Sequence, residues 1–458
     1  MRRFLLVLTI ILLIIVLVIV ISIQNKPKNL SSEIQPKLSI VVSGGKATQS
    51  KCQGKIPQVD LPKSSLSADE LALVVNDNDA QSVAVARYYQ QRRSIPPQNV
   101  IHVSFQTGKN EIEPHLFRAI QSKINAVTTP KIQAIALSFS RPFKVGCMSI
   151  TSALSFGYDE EFCQQKRKIN NCRYPQISPY YASYSITPFT DFGIRPSMML
   201  AGQDTDQVIH LIDRGIKSDE TFPIAVGYLQ VTSDKTRSVR VQEFSDLAKN
   251  WPASSGWNLQ YRDNSAGKIT SDFIIEKNNI LFYFTGLSRV PLIQANSYLP
   301  GAIADHLTSL GGVLFNSPQM SILNWLKAGV TASYGTVVEP CNFVAKFSDP
   351  RILVSNYYRG QTAIEAYWKS VASPYEGVFV GEPLAKPMGV KQSLSNERLS
   401  LKLSTLEPGR TYQVYSASTP EGPYSPASEL ITLQNYQVIE INFSCEPLYY
   451  KLVEVQTP

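Results

Sequence analysis

The chain predicts a three-layer α/β domain built on a mostly parallel sheet, with an apolar transmembrane helix before it and a β-sandwich after it. Three observations carry that expectation. Residues Phe4 to Ile23 form an apolar run broken only by Thr9 and Ser22. From Leu71 onward, short β-prone runs alternate with segments of helical period. Past Pro387 the texture changes to short alternating strands punctuated by Pro408-Gly409 and Gly422-Pro423.

The first run sets the N-terminus. A helix rises about 1.5 Å per residue, so ~20 apolar residues match a ~30 Å hydrocarbon core. Arg2 and Arg3 precede the run, and Gln24 to Lys28 end it without a small-x-small cleavage site. Residues 1–24 therefore read as a single-pass signal anchor with a cytoplasmic N-terminus. The bulk of the chain is then expected on the extracytoplasmic side of a bacterial membrane. Residues 25–68 read as a linker, since they carry Pro27, Pro36, Pro57, Pro62 and the Gly44-Gly45 pair.

Residues 69–388 read as the α/β domain. Leu71–Val75 predicts a strand, Asn76-Asp77-Asn78-Asp79 a turn or helix N-cap, and Ser82–Gln91 a helix. A strand at Asn99–Phe105, a helix at Glu111–Val127 and a strand at Ile132–Phe139 continue the rhythm of βαβ units. Residues 141–200 interrupt it with Pro, Tyr, Ser and Cys, as a long insertion at one end of the sheet does. The rhythm resumes with a helix at Asp206–Gly215, a strand at Ile224–Val231, a helix at Ser238–Lys249 and a strand at Asn279–Phe284. The pattern next predicts a helix at Ala302–Leu310, a strand at Gly312–Phe315, a helix at Gln319–Ala328 and a strand at Thr331–Val337. Helices at Arg351–Tyr358 and Ile364–Val371 close the domain. Residues 392–458 read as a fibronectin- or immunoglobulin-type sandwich, with strands at Leu399–Leu403, Tyr412–Tyr415, Glu429–Leu433 and Val438–Phe443.

Composition narrows the function. The 458 residues carry a net charge of +8, with 43% hydrophobic and 17% charged residues, a globular make-up too long for one ordinary core. Basic residues are scattered, with small clusters only at Arg92-Arg93 and Lys166-Arg167-Lys168. A nucleic-acid partner is excluded on that pattern. The expected partners are the membrane, through the anchor, and an envelope polymer or a sorted surface protein. No Walker loop, dinucleotide-binding glycine fingerprint, HExxH or GxSxG is present, so no cofactor or metal is expected. Cys147, Cys163 and Cys172 cluster in one stretch, which suits an oxidising compartment, and the short Cys163–Cys172 spacing predicts a bridge between those two.

Three stretches carry a resemblance. The first is Leu73-Val74-Val75-Asn76 with Ser82-Val83-Ala84, Tyr88-Tyr89 and Arg92-Arg93-Ser94-Ile95-Pro96. The second is Gly146-Cys147-Met148-Ser149-Ile150-Thr151 with Arg195-Pro196-Ser197-Met198. The third runs from Ala304-Asp305-His306-Leu307-Thr308-Ser309, through Trp325-Leu326-Lys327-Ala328-Gly329, to Ala332-Ser333-Tyr334-Gly335-Thr336-Val337-Val338-Glu339-Pro340-Cys341-Asn342. Together they resemble an uncharacterised bacterial family whose distribution follows exosortase, the proposed sorting transpeptidase of surface proteins. The resemblance covers about residues 70 to 390 and implies a surface-protein setting without an established activity. Separately, the succession ending in Arg359-Gly360-Gln361-Thr362-Ala363-Ile364-Glu365-Ala366 is similar to the C-terminal half of caspase-like peptidase domains. Those enzymes place His-Gly after one strand and Cys after the next. Thr285-Gly286 and Asn316-Ser317 stand in those places here, so that dyad is missing. The fold is expected to be caspase-like or flavodoxin-like.

Candidate site residues follow from the sheet. Cys341 comes after Glu339-Pro340 just beyond a strand, where α/β sheets place functional groups. Paired with His306 as base, and with Glu339 as an acid/base group, it would be a nucleophile. The alternative is a disulfide from Cys341 to Cys147. Thr285-Gly286, Asn316-Ser317 and Glu339–Asn342 should meet at one sheet edge. Asp204 and Asp206 read as helix caps or metal ligands, and Arg141, Arg195, Arg237 and Arg240 as holders of an anionic group. His102 and His210 read as structural, and His115 as surface. Two functions stand open. One is a non-enzymatic envelope- or surface-protein-associated binding role. The other is a cysteine-dependent hydrolase or transpeptidase using Cys341 and His306.

Overall fold

The computed structural model describes residues 33–42, 56–168, 176–267, 271–395 and 398–456. At its centre is a ten-stranded sheet. In chain order its strands are β1 Leu71–Asn76, β2 Val100–Val103, β3 Ala134–Leu137, β4 Ser197–Met199, β5 Ala225–Val231, β6 Trp257–Asp263, β7 Ile280–Thr285, β8 Tyr298–His306, β9 Ala332–Thr336 and β10 Gly377–Gly381. Across the sheet they lie in the order β6-β5-β7-β8-β9-β10-β4-β3-β1-β2. Every neighbouring pair is parallel except β9 and β10. The sheet is therefore two parallel halves of opposite direction joined at that antiparallel pair. Each half has the same winding. Its first strand, β1 or β5, sits between the second and third, and the next strand lies beyond. The carboxyl ends of β5–β9 and the amino ends of β1–β4 consequently share one edge.

Strand alternation fills both faces. Leu71, Leu73 and Val75 enter one core, with Ala72 and Val74 in the other. All six residues of β1 are buried, as expected for a parallel strand covered on both sides. In β7 the register slips between Ile280 and Phe282, so Leu281 and Phe282 both serve the first core while Ile280 and Tyr283 serve the second. Such a bulge puts two consecutive side chains on one face.

Several expected elements differ. Ala302–Leu310 is no helix: Tyr298–His306 is a central strand, buried from Gly301 to His306. Gly312–Phe315 is no strand but a turn crossing β9, where a Cβ on Gly312 would stand 2.3 Å from the Gly335 carbonyl oxygen. The 141–200 insertion supplies β4 and a helix at Ile150–Phe156 that packs on β10. The hydroxyls of Ser149, Thr151 and Ser152 all donate to the Gly377 carbonyl at the start of β10.

The C-terminal region is a separate pair of sheets. Its core includes Leu399, Leu401, Leu403, Val414, Ile441 and Phe443. The stretch read as a linker supplies two of its strands. Leu38–Val42 pairs in parallel with Ile439–Ser444, and Gln58–Asp60 with Tyr449–Val455. The sandwich is thus closed from both ends of the chain. It also docks on the α/β domain: Ile34 and Val438 are buried in that domain's core, and Tyr436 stacks on Trp251 at 5.0 Å.

The single-pass membrane localisation is corrected. Among the described residues no helix is long and apolar enough to cross a membrane. The Phe4–Ile23 run on which that expectation rested lies outside the described residues.

Candidate functional site

A pocket of about 270 Å³ opens at the carboxyl edge of the β5–β9 half. Three segments build it. Thr236 and Arg237 come from the loop after β5, Leu307 to Ser309 from the end of β8, and Glu339 to Asn342 from the loop after β9, with Phe347 behind. Glycine permits the closure: a Cβ at Gly286, just past β7, would meet the Arg237 carbonyl oxygen at 2.0 Å. Arg237 spans the rim. Its Nη1 donates to Asp234 Oδ2 at 2.7 Å and its Nε to Thr308 Oγ1 at 3.1 Å.

Beneath the pocket lies a buried ion pair. Arg240 Nη2 donates to Asp305 Oδ1 and to the Thr285 carbonyl, each at 2.8 Å. Ser348 Oγ donates to the other oxygen of Asp305 and accepts from Arg240 Nη1 at 3.0 Å. Both side chains are almost fully buried. A charge in such a place is tolerable only because it is paired and hydrogen-bonded.

The structure places the expected catalytic residues as follows. His306 ends β8 and is fully enclosed. Its Nε2 donates to the Met320 carbonyl at 3.0 Å, and its Nδ1 accepts from the Trp325 indole at 3.0 Å. Burial pushes its pKa down to about 4. Both nitrogens are committed, so the ring is a neutral structural group in this arrangement. Cys341 lines the pocket, but its sulfur is in a disulfide. The expected bridges are corrected: Cys147 pairs with Cys163, at a Cα–Cα distance of 5.4 Å, which rules out both Cys147–Cys341 and Cys163–Cys172. Cys172 lies outside the described residues. Glu339 also lines the pocket, and its Oε1 accepts the Cys341 backbone N–H at 2.7 Å while Cys341 takes a left-handed φ of 58°. No thiolate–imidazole pair is formed.

The remaining candidates separate. Asp204 caps the helix Thr205–Ser218 by accepting from the Gln207 backbone, with Asp206 in the first turn. Asn316-Ser317 stays off the pocket lining, and Ser317 ties back to the Leu310 carbonyl. Arg141 stacks on Phe315 at 3.6 Å, and Arg195 lies at the other half of the sheet. Asn342 lines the pocket with the Glu339–Asn342 loop as expected, whereas Thr308 and Ser309 complete it without having been expected there. With β8 taken for a helix those two were hidden, because only a strand end delivers them to the edge.

No family model and no curated protein sequence matches the chain. A solved structure described as "Structure of Protease" overlays with a TM-score of 0.41 at 11% identity, covering 83% of this chain and 98% of that chain. Overlap at that level carries no argument about activity. The fold itself is mixed α/β, with a large mostly parallel central sheet and a separate β-rich region.

Proposed function

We propose that the protein works as a binding module whose edge pocket takes a hydroxyl-rich polymer segment, of the saccharide type. The observation that carries this reading is the state of Cys341 and His306: a disulfide sulfur and a doubly hydrogen-bonded ring do not form the expected nucleophile–base pair. Apart from Cys341, the pocket offers hydrogen bonding, from Arg237, Thr236, Thr308, Ser309, Glu339 and Asn342, beside the apolar Leu307 and Phe347. Sites for polyols combine such convergent polar groups with an apolar wall. An exosortase-linked setting is supported by the sequence resemblance alone. Calorimetric titration with a panel of soluble oligosaccharides tests the reading. At least one should bind saturably, and Arg237→Ala and Asn342→Ala should each weaken it about tenfold. Absence of binding across the panel, or binding untouched by both substitutions, would overturn it.

A second reading, a cysteine-dependent hydrolase or transpeptidase, is favoured by one observation: Cys341 and Glu339 line the same pocket. It requires reduction of the disulfide and a base other than His306 as now bonded. Reductant-dependent cleavage of a peptide library, abolished by Cys341→Ala, would support it over the binding role.

A further inference from the structure

A second pocket, of about 520 Å³, lies at the amino ends of β3 and β4, on the half of the sheet that the edge pocket does not use. It is bounded by the helix Pro114–Val127 through Gln121 and Asn125, and by Phe189 and Arg195. Among the described residues its lining holds no acidic side chain, and Arg195 is its only charge. Arg195 is more than nine-tenths buried. Its Nε donates to the Ile132 carbonyl at 3.0 Å and its Nη2 to the Thr129 carbonyl at 3.3 Å. The guanidinium carbon stacks on the Phe189 ring at 3.3 Å. These contacts fix the plane of the group and leave Nη1 without a hydrogen-bond partner among the described residues.

Arg214 is held similarly, donating only to the Leu326 and Val330 carbonyls among the described residues, but two other enclosed arginines are paired with carboxylates. Arg93 faces Glu382 and Asp219, and Arg240 faces Asp305. Arg195 has no carboxylate within ion-pair distance among the described residues, and desolvation alone acts on it, lowering its pKa to about 10. Burying a guanidinium without a counter-charge is costly. A fold that keeps it at the wall of an open cavity gains when an anion enters.

We propose that this pocket is a binding site for a small organic monocarboxylate with an apolar body. The carboxylate would sit on the free edge of Arg195, in the pocket that Asn125 also lines, and the body against Leu154 and Phe156. A single fixed guanidinium suits a monoanion; a phosphate group would call for more donors.

Titration calorimetry of the full chain with benzoate tests this, with benzamide as the neutral isostere and inorganic phosphate as the second anion. Benzoate should bind saturably, and benzamide and phosphate at least tenfold more weakly. Asn125→Trp fills the mouth from an exposed helix position, keeps Arg195 intact, and should weaken benzoate at least tenfold; Arg195→Met should do the same where it folds. Arg237→Ala, at the edge pocket, should leave benzoate binding unchanged. Equal binding of benzoate and benzamide, phosphate binding as tight as benzoate, no saturable heat, or an unaltered Asn125→Trp protein would each overturn the assignment.

Discussion

His306 shows how a side chain's surroundings decide its chemistry. A histidine between Asp305 and Leu307 looks available in the sequence. In the fold it is the last residue of a central strand, closed off by Trp325 and Met320. Its pKa of about 4 lies below the unfolded value near 6.5, so between those values the unfolded chain binds a proton that the folded chain does not. Stability from this group is therefore complete above about pH 6.5 and is lost as pH falls toward 4. Between pH 7 and pH 5 the loss should be about 2 kcal/mol. His306→Gln keeps a donor for Met320 and an acceptor for Trp325 but cannot titrate. Urea unfolding at both pH values should show this component in the native protein and not in the variant. Equal pH slopes in the two proteins would refute the assignment. The neighbouring Asp305 is a second example: its carboxylate is spent on Arg240 and Ser348.

Elements were legible where local pattern and tertiary position agree. Leu71–Asn76, Ala225–Val231 and Ile280–Thr285 are largely apolar runs flanked by parallel strands on both sides, and they read as strands from sequence alone. Tyr298–His306 did not. Its Gly301-Ala302-Ile303-Ala304 core is helix-compatible, and only its place between β7 and β9 makes it extended. Very short or atypical strands, such as Ser197–Met199 and Gly377–Gly381, carry too little pattern to be seen, yet they join the two halves of the sheet. Disulfide pairing was equally hidden. Sequence proximity favoured Cys163–Cys172, but the hairpin Lys144–Ser149 turns Cys147 back onto the helix Glu160–Lys168. With a sequence separation of 16, the Cys147–Cys163 bridge should restrict the unfolded chain by about 3 kcal/mol. Replacing both cysteines with alanine should lower the urea-unfolding free energy by about that amount, and peptide mapping of the native protein should recover the 147–163 pair. Recovery of a 163–172 linkage instead would contradict the structure.

At the scale of the whole molecule, the change of texture near Pro387 marks a real architectural border but not an independent unit. The sandwich needs Leu38–Val42 and Gln58–Asp60, which reach it from the other side of the α/β domain in sequence. Pro-rich surroundings concealed them: Leu38–Val42 is a short apolar patch among linker-like residues, and Gln58–Asp60 is an edge strand with a single apolar residue. The two bodies are also joined by side chains. Tyr436 stacks on Trp251, Arg359 pairs with Glu407 at 3.0 Å, and Glu33 meets Lys391 at 3.1 Å and Lys402 at 2.8 Å. Ile34 and Val438 lie inside the α/β core, so removing the sandwich removes part of that core. A chain ending at Gly389 should accordingly lose stability in the α/β domain rather than retain it, because two N-terminal strands lose their partners and Trp251 and Tyr358 lose the cover of Tyr436. Calorimetry of the full chain should give one dominant cooperative transition, and the shortened chain should melt lower or fail to fold. Two well-separated transitions in the full chain, with the α/β transition unmoved by the truncation, would show instead that the border divides two self-sufficient cores.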